Sequence, residues 1–108
     1  MVSITLCMIV KNEEKILGRC LSCLYDLMDE IIIVDTGSAD RTKEIAAQYT
    51  DKIFDFHWVD DFAAARNFAF SKASGDYIYS ADADEVLDET NRRRFRLLKE
   101  NLLPDIEI

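Results

Sequence analysis

Gly75-Asp76-Tyr77-Ile78-Tyr79-Ser80-Ala81-Asp82-Ala83-Asp84-Glu85 is the stretch that decides the fold. Residues 77–81 are mostly apolar and read as a buried strand, and the run ends in the acids Asp82, Asp84 and Glu85. Along an extended strand, residues i and i+2 face the same way. Asp82 and Asp84 are therefore expected to aim both carboxylates into one cleft, with about 7 Å between their backbone positions from the strand rise. Two hard oxygen donors so spaced suit Mg²⁺ or Mn²⁺, which keep positions open for water and phosphate oxygens. A solvated acidic turn that caps the next helix is the other reading of a bare Asp-x-Asp, and the rest of the chain decides between them.

Working back from this stretch, strand and helix patterns alternate. Residues 2–10 form a continuous apolar and β-branched run, the mark of a strand covered on both faces. Helical spacing follows over 13–26, with Ile16, Leu17, Cys20, Leu21 and Leu24 on one side. Asn12 is expected to cap that helix, with Glu13 and Glu14 in its first turn. Residues 31–34 are a second buried strand, ending in the turn residues Asp35-Thr36-Gly37-Ser38. Ser38 or Asp40 then caps a short helix to about residue 49. Residues 52–58 alternate and read as an edge strand, with His57 partly buried in it. Asp60-Asp61 opens a helix over 62–73, stopped by Ser74-Gly75. Beyond the acids, Asp88, Glu89 or Thr90 starts a last helix, to about Leu102 before Pro104. The cluster Arg92, Arg93, Arg94 and Arg96 reads as a solvated face paired with nearby acids rather than an anion site.

This βαβαβαβα order predicts an α/β layer fold with a mainly parallel sheet and right-handed crossovers. Ligands of such sheets bind beyond the carboxyl ends of the strands, at a switch point in strand order. Polar residues collect at those ends: Lys11-Asn12-Glu13, Asp35-Thr36-Gly37-Ser38 and Asp82-Ala83-Asp84-Glu85. A buried sheet needs no carboxylates there, so a binding cleft is expected. The chain lacks the G-x-G-x-x-G of a dinucleotide site and the phosphate-binding G-x-x-x-x-G-K-[ST] loop. It also lacks a G-x-S-x-G nucleophile elbow and the acceptor Asp and Lys pattern of a response-regulator receiver.

The 108 residues suffice for one small domain with a core, at 49% hydrophobic content. A net charge of −8 argues against nucleic acid and anionic membranes as partners, since both need a basic face. The same charge constrains a phosphate ligand, which docks beside Asp82 and Asp84 only with a cation between. No leader and no membrane-length apolar run is read from the sequence, so a cytoplasmic protein is expected. Three cysteines exclude a complete disulfide framework. Cys20 and Cys23 form a C-x-x-C, but inside a predicted helix rather than at its N-terminus, so they read as core thiols rather than a redox pair. A zinc site of Cys7, Cys20, Cys23 and His57 is disfavoured because these residues are scattered over separate elements.

Four segments now stand in order: residues 7–14 (Cys-Met-Ile-Val-Lys-Asn-Glu-Glu), 33–42 (Ile-Val-Asp-Thr-Gly-Ser-Ala-Asp-Arg-Thr), 60–67 (Asp-Asp-Phe-Ala-Ala-Ala-Arg-Asn), and Gly75-Asp76 with Asp82-Ala83-Asp84-Glu85. Together they resemble the N-terminal half of a family 2 glycosyltransferase of the GT-A fold. The resemblance spans essentially the whole chain. It implies transfer of a sugar from a UDP- or GDP-type nucleotide diphosphate donor to an acceptor, with Mg²⁺ or Mn²⁺. By the same resemblance Asp84 is the main metal ligand, and Asp82 serves the ribose or the metal. Asp35 receives the base, Glu13 touches the nucleoside, and Arg66 lies near the nucleotide and pyrophosphate. Val10, Asn12 and Gly37 complete the expected donor-binding set.

The physical chemistry agrees with these roles. A carboxylate accepts from a ring N–H, an Arg fork suits phosphate, and a metal neutralises a leaving diphosphate. The family's acceptor half and catalytic base follow its D-x-D segment, so the base is expected beyond Ile108. Residues 1–108 are then the donor-binding part of a longer transferase domain. A non-catalytic nucleotide-binding or scaffold module of the same fold, and a metal-dependent nucleotidyltransferase, are the alternatives. The second calls for a Gly- and Arg-rich loop after the first strand, and Lys11-Asn12-Glu13-Glu14 is not one. In a complete domain, strands would continue the sheet past residues 77–81. The expectation for this chain is an exposed edge that pairs two copies into a homodimer.

Overall fold

Strands and helices alternate along the chain in the computed structural model, which describes residues 3–57, 61–84 and 86–101. The order is β1 (Ile4–Val10), α1 (Leu17–Leu24), a 3₁₀ turn (Tyr25–Leu27), β2 (Glu30–Asp35), α2 (Thr42–Ala46), β3 (Ile53–Asp55), α3 (Phe62–Lys72), β4 (Tyr77–Ser80) and α4 (Glu89–Asn101). The strands form one four-stranded sheet in the order β3-β2-β1-β4. Every pairing in it is parallel. The chain steps from β1 outward to β2 and β3, then returns to the other side of β1 for β4. The switch point of the sheet therefore lies between β1 and β4.

β1 is central because it is apolar on both faces. Ile4, Leu6, Met8 and Val10 enter one core cluster with Ile31 and Ile33 of β2 and with Leu17, Cys20, Leu21 and Leu24 of α1. Burying each of those leucines contributes roughly 1.5–3 kcal/mol. Cys7 faces the other way and packs with Ile32, Val34 and Ala69. Ala65 and Ala69, one helical turn apart, are the buried residues of α3. Their small side chains let α3 lie close to β1 and β2, with Phe68 and Phe70 packed at its sides. Burial, with the Glu30 charge adding to it, pushes the Cys7 thiol up to about 11, so it stays protonated as part of the core.

Several boundaries differ from the sequence reading. The helix expected over 13–26 begins only at Leu17, with no side-chain cap and no acid in its first turn. Asn12 does not cap it: its backbone is left-handed at φ 53°, and its Oδ1 accepts from the Ala39 N–H instead. Residues 11–16 cross over to the neighbouring loop before the helix starts. The helix expected to reach about residue 49 is the short α2, although Asp40 Oδ1 does accept from the Thr42 N–H as a cap would. β3 is an edge strand as read, but ends at Asp55, and His57 is exposed outside it. Cys20 is buried as expected, whereas Cys23 is half-buried.

Other expectations hold. Asp61 caps α3, its side chain accepting from the Ala64 N–H at 3.2 Å. Asp88 accepts from the Asn91 N–H at the start of α4. Arg93 pairs with Glu89 on a solvated face, whereas Arg92, only 16% exposed, pairs with Asp26 and Glu89 against the body of the protein. Gly75 is required by close approach, because a Cβ there would lie 2.6 Å from Thr5 Oγ1. Positions 2 and 58, together with Asp60, Glu85, Leu102, Pro104 and Ile108, which the sequence reading includes, lie outside the described residues.

Candidate functional site

The strands end at different heights, and this sets the geometry of the rim. Val10 of β1 is level with Asp35 of β2. Ser80, the last residue of β4, pairs with Cys7, and the Ala81 N–H still donates to the Cys7 carbonyl. The acidic segment thus leaves the sheet lower than β1 and β2.

Asp82 and Asp84 lie beyond the strand, so the strand spacing assumed for them above does not hold. β4 stops at Ser80, and Ala83-Asp84 is a turn. The two-residue alternation nevertheless persists through the turn. Ala81 and Ala83 are buried in the α1-side core, while Asp82 and Asp84 are exposed. The small alanines anchor the segment and leave both carboxylates facing outward.

At the end of β2, Asp35 is only 2% exposed. Its Oδ1 accepts from the Gly37 N–H at 2.9 Å and the Ser38 N–H at 2.8 Å. This tight turn requires Gly37, whose φ is +115°. A Cβ at Gly37 would meet nothing within 4 Å, so backbone conformation rather than crowding selects glycine. The other oxygen, Asp35 Oδ2, is buried and has no hydrogen-bond partner. Leaving such an acceptor unsatisfied costs about 1–3 kcal/mol.

The loops after β1 and β2 are stitched together. The Asn12 N–H donates to Ser38 Oγ at 2.9 Å, and the Ala39 N–H to Asn12 Oδ1 at 2.8 Å. The Glu13 N–H donates to Thr42 Oγ1 at 2.8 Å. The Thr36 N–H and hydroxyl both donate to the Val10 carbonyl. Val10 therefore meets the site as an apolar wall, its carbonyl already engaged. Beside this stitching opens a cleft of about 230 Å³, lined by Ile9, Val10, Lys11, Glu13, Thr36 and Phe62. Phe62, half exposed at the start of α3, brings Arg66 to the rim, with the guanidinium carbon 5.3 Å from the Phe62 ring centre. A hollow of about 270 Å³ lies at the opposite end of the sheet, around Met28 and Glu30, away from these residues.

The structure thus gathers Val10, Asn12, Glu13, Asp35 and Gly37 at one rim, with Arg66 on the α3 side and Asp82 and Asp84 after β4. Sequence reasoning gave no role to Phe62, Thr36 and Thr42, although they stand within or beside the segments quoted. Their signal is positional: each follows a strand end or opens a helix. Among the described residues, no three His, Cys, Asp or Glu side chains converge. The donor set still fits Mg²⁺ or Mn²⁺, which are commonly held by one or two carboxylates plus substrate phosphates.

A model of glycosyl transferase family 2 matches residues 5–95. The chain is 49% identical over 87 residues to a TPR repeat-containing protein of Synechococcus elongatus, a match covering 81% of this chain and 22% of that protein. It is 35% identical over 92 residues to the SPbeta prophage-derived glycosyltransferase SunS of Bacillus subtilis, covering 83% of this chain and 22% of SunS. Glucosyl-3-phosphoglycerate synthase of Mycobacterium tuberculosis, solved with Mn²⁺ and UDP-glucose, has a similar structure at TM-score 0.68 and 21% identity, over 79% of this chain and 34% of that one. This likeness is one of fold, and the fold is GT-A. The chain spans about a fifth of the length of the two curated relatives. No helix among the described residues is long and apolar enough to cross a membrane.

Proposed function

The chain belongs to glycosyl transferase family 2, and from that premise we propose that residues 1–108 are the donor-binding part of a transferase that moves a sugar from a UDP- or GDP-type donor to an acceptor. One observation carries the reading. Asp35 Oδ2 is a buried carboxylate oxygen with no partner in the protein, at the end of β2 beside the cleft. Uracil and guanine both offer a ring N–H that would satisfy it. The hydrogen bonds from the Gly37 and Ser38 N–H groups hold Oδ1, so Oδ2 is kept in place for the ligand.

The other roles follow from position. Glu13 lines the cleft and faces the nucleoside, with Val10 as its apolar wall. Asn12 and Gly37 fix the two loops around the base. Arg66, carried on Phe62, is placed for the diphosphate. Asp84, with Asp82, would hold Mg²⁺ or Mn²⁺ on the diphosphate oxygens. When bound, the metal supplies neutralisation of the leaving diphosphate. The reaction breaks the bond from the anomeric carbon to the diphosphate oxygen and forms one to the acceptor oxygen, whose proton passes to a base. We assign that base to none of these residues.

Calorimetry with UDP and with GDP, each with and without Mn²⁺, tests the proposal. The expected result is binding that needs Mn²⁺ and is lost in Asp35→Ala. Binding indifferent to Mn²⁺ removes the metal role of Asp82 and Asp84. Binding of neither nucleotide overturns the reading as a whole.

A further inference from the structure

The first turn leading into α1 is held from the neighbouring loop. Glu13 and Glu14 present consecutive backbone N–H groups, which bond to Thr42 Oγ1 at 2.8 Å and Asp40 Oδ2 at 3.3 Å. The Glu13 carbonyl in turn accepts from the Ile16 and Leu17 N–H groups at 3.1 and 2.9 Å, which starts the helix. Thr42 is wholly buried at the start of α2. Its hydroxyl donates to Asp40 Oδ1. With its proton committed there, the Thr42 oxygen is left to accept from Glu13. Asp40 Oδ1 also accepts from the Thr42 N–H at 2.9 Å, which fixes the carboxylate itself. A relay thus runs from the Asp40 carboxylate through the Thr42 hydroxyl to the backbone of Glu13, one of the residues lining the cleft.

We propose that Asp40 and Thr42 are positioning residues that hold Glu13 against the nucleoside, an inference that rests on the donor-site reading above. Neither residue is among those facing the cleft, and both act through Glu13. A buried threonine hydroxyl at a helix start could equally serve only the fold. A positioning role differs in one measurable way: its effect on ligand binding depends on the Glu13 side chain.

The test is a double-mutant cycle on UDP affinity in the presence of Mn²⁺, with melting temperature measured alongside. Thr42→Val keeps the shape and removes the relay. It is expected to weaken UDP binding about tenfold, within the range over which contacting residues couple. Thr42→Ser, which keeps the hydroxyl, is expected to bind within about twofold of the parent. In a Glu13→Ala background, Thr42→Val should cause little further loss. Ala46→Gly, which destabilises the same short helix without touching the relay, should lower the melting temperature and leave affinity unchanged. A full tenfold loss from Thr42→Val in the Glu13→Ala background overturns the inference, as does a Thr42→Val protein that binds like the parent. A parent protein that binds no UDP overturns the donor-site reading and this inference together. Failure of Thr42→Val alone, with parent binding and Glu13→Ala weakened, overturns the inference and leaves that reading standing.

Discussion

Acidic residues stand at both ends of the sheet, and the acids lining the two ends are held differently. At the amino end, Glu30 accepts from Thr5 Oγ1 at 2.8 Å and from the Ser74 N–H and Oγ, each at 2.8 Å, and pairs with Lys52. Asp29 accepts from the Ile4 N–H at 2.8 Å and pairs with Lys99 at 2.7 Å. Asp26 takes Arg92 and Arg96. These carboxylates tie β1, β2, the start of β3, the α3–β4 turn and α4 into one body. At the carboxyl end, Asp35 keeps a buried oxygen without a partner, and Asp82 and Asp84 face outward from buried alanines. Structure engages the carboxylates of Glu30, Asp29 and Asp26 at one end and leaves Asp35 Oδ2 buried without a partner at the other. The difference separates stability from binding, and three substitutions measure it.

The largest effect is expected at the carboxyl end. Asp84→Asn should weaken Mn²⁺-dependent nucleotide binding by more than about a hundredfold, since even changes one shell out from a metal typically cost 10–100-fold. Its melting temperature should stay close to that of the parent, because an exposed turn carboxylate adds little to the core. Calorimetry and a thermal melt on the same sample read both. A large fall in melting temperature with unchanged Mn²⁺ affinity would make Asp84 structural and erase the contrast between the two ends.

Glu30 should behave in the reverse sense. Glu30→Gln is expected to lower stability by roughly 1.5–3 kcal/mol, the usual worth of hydrogen bonds to a charged group, with nucleotide affinity unchanged. Burial opposes ionisation of Glu30, but the Lys52 ammonium, the Ser74 N–H and the Thr5 and Ser74 hydroxyls outweigh it, holding the carboxyl down at about 2. A carboxyl with a lowered folded-state value stabilises the fold above its ordinary value of 4.5 and loses that contribution as pH falls toward 2. Urea denaturation between pH 5 and 2.5 should therefore show a loss of stability in the parent that is shallower in Glu30→Gln. Equal slopes would mean that Glu30 is not the amino-end hub described here.

The same contrast explains what the sequence disclosed. Alternation of β-branched runs with helical spacing was enough for the layered parallel sheet, because burial on both faces of β1 leaves a continuous apolar signature. The rim was legible too: carboxylates such as Asp35, Asp82 and Asp84 after buried strands have no use in a core. What stayed hidden depends on pairs distant in sequence. Asn12 looked like a helix cap because Ser, Asn and Asp at such positions generally are, yet its partner is Ala39. Thr42 was given no role, and only the register of β1 against β2 brings it to Glu13. Asp82 and Asp84 were given strand spacing because the alternation of alanine and acid continues after the backbone has begun to turn. Glu30, the most connected acid of the amino end, carries no local signal, since its partners come from β1, the start of β3 and the α3–β4 turn.

The smallest effect should come from Glu44, which tests whether place alone matters at the carboxyl end. Glu44 lies in α2, which follows the β2 rim, and pairs with Arg41 at 3.1 Å in an i, i+3 arrangement. The side chains of Arg41 and Glu44 are 72% and 68% exposed. An ion pair so open to water is screened by salt and gains little over its two solvated partners. Neither residue lines the cleft. Glu44→Gln should therefore leave both the melting temperature and UDP affinity at parental values, at low and at physiological salt. Such a result separates the cleft acids from an acid that merely sits near them. A loss of UDP affinity in Glu44→Gln that disappears at high salt would point instead to a long-range field over the whole rim. The contrast between the two ends would then be one of net charge rather than of how individual carboxylates are held.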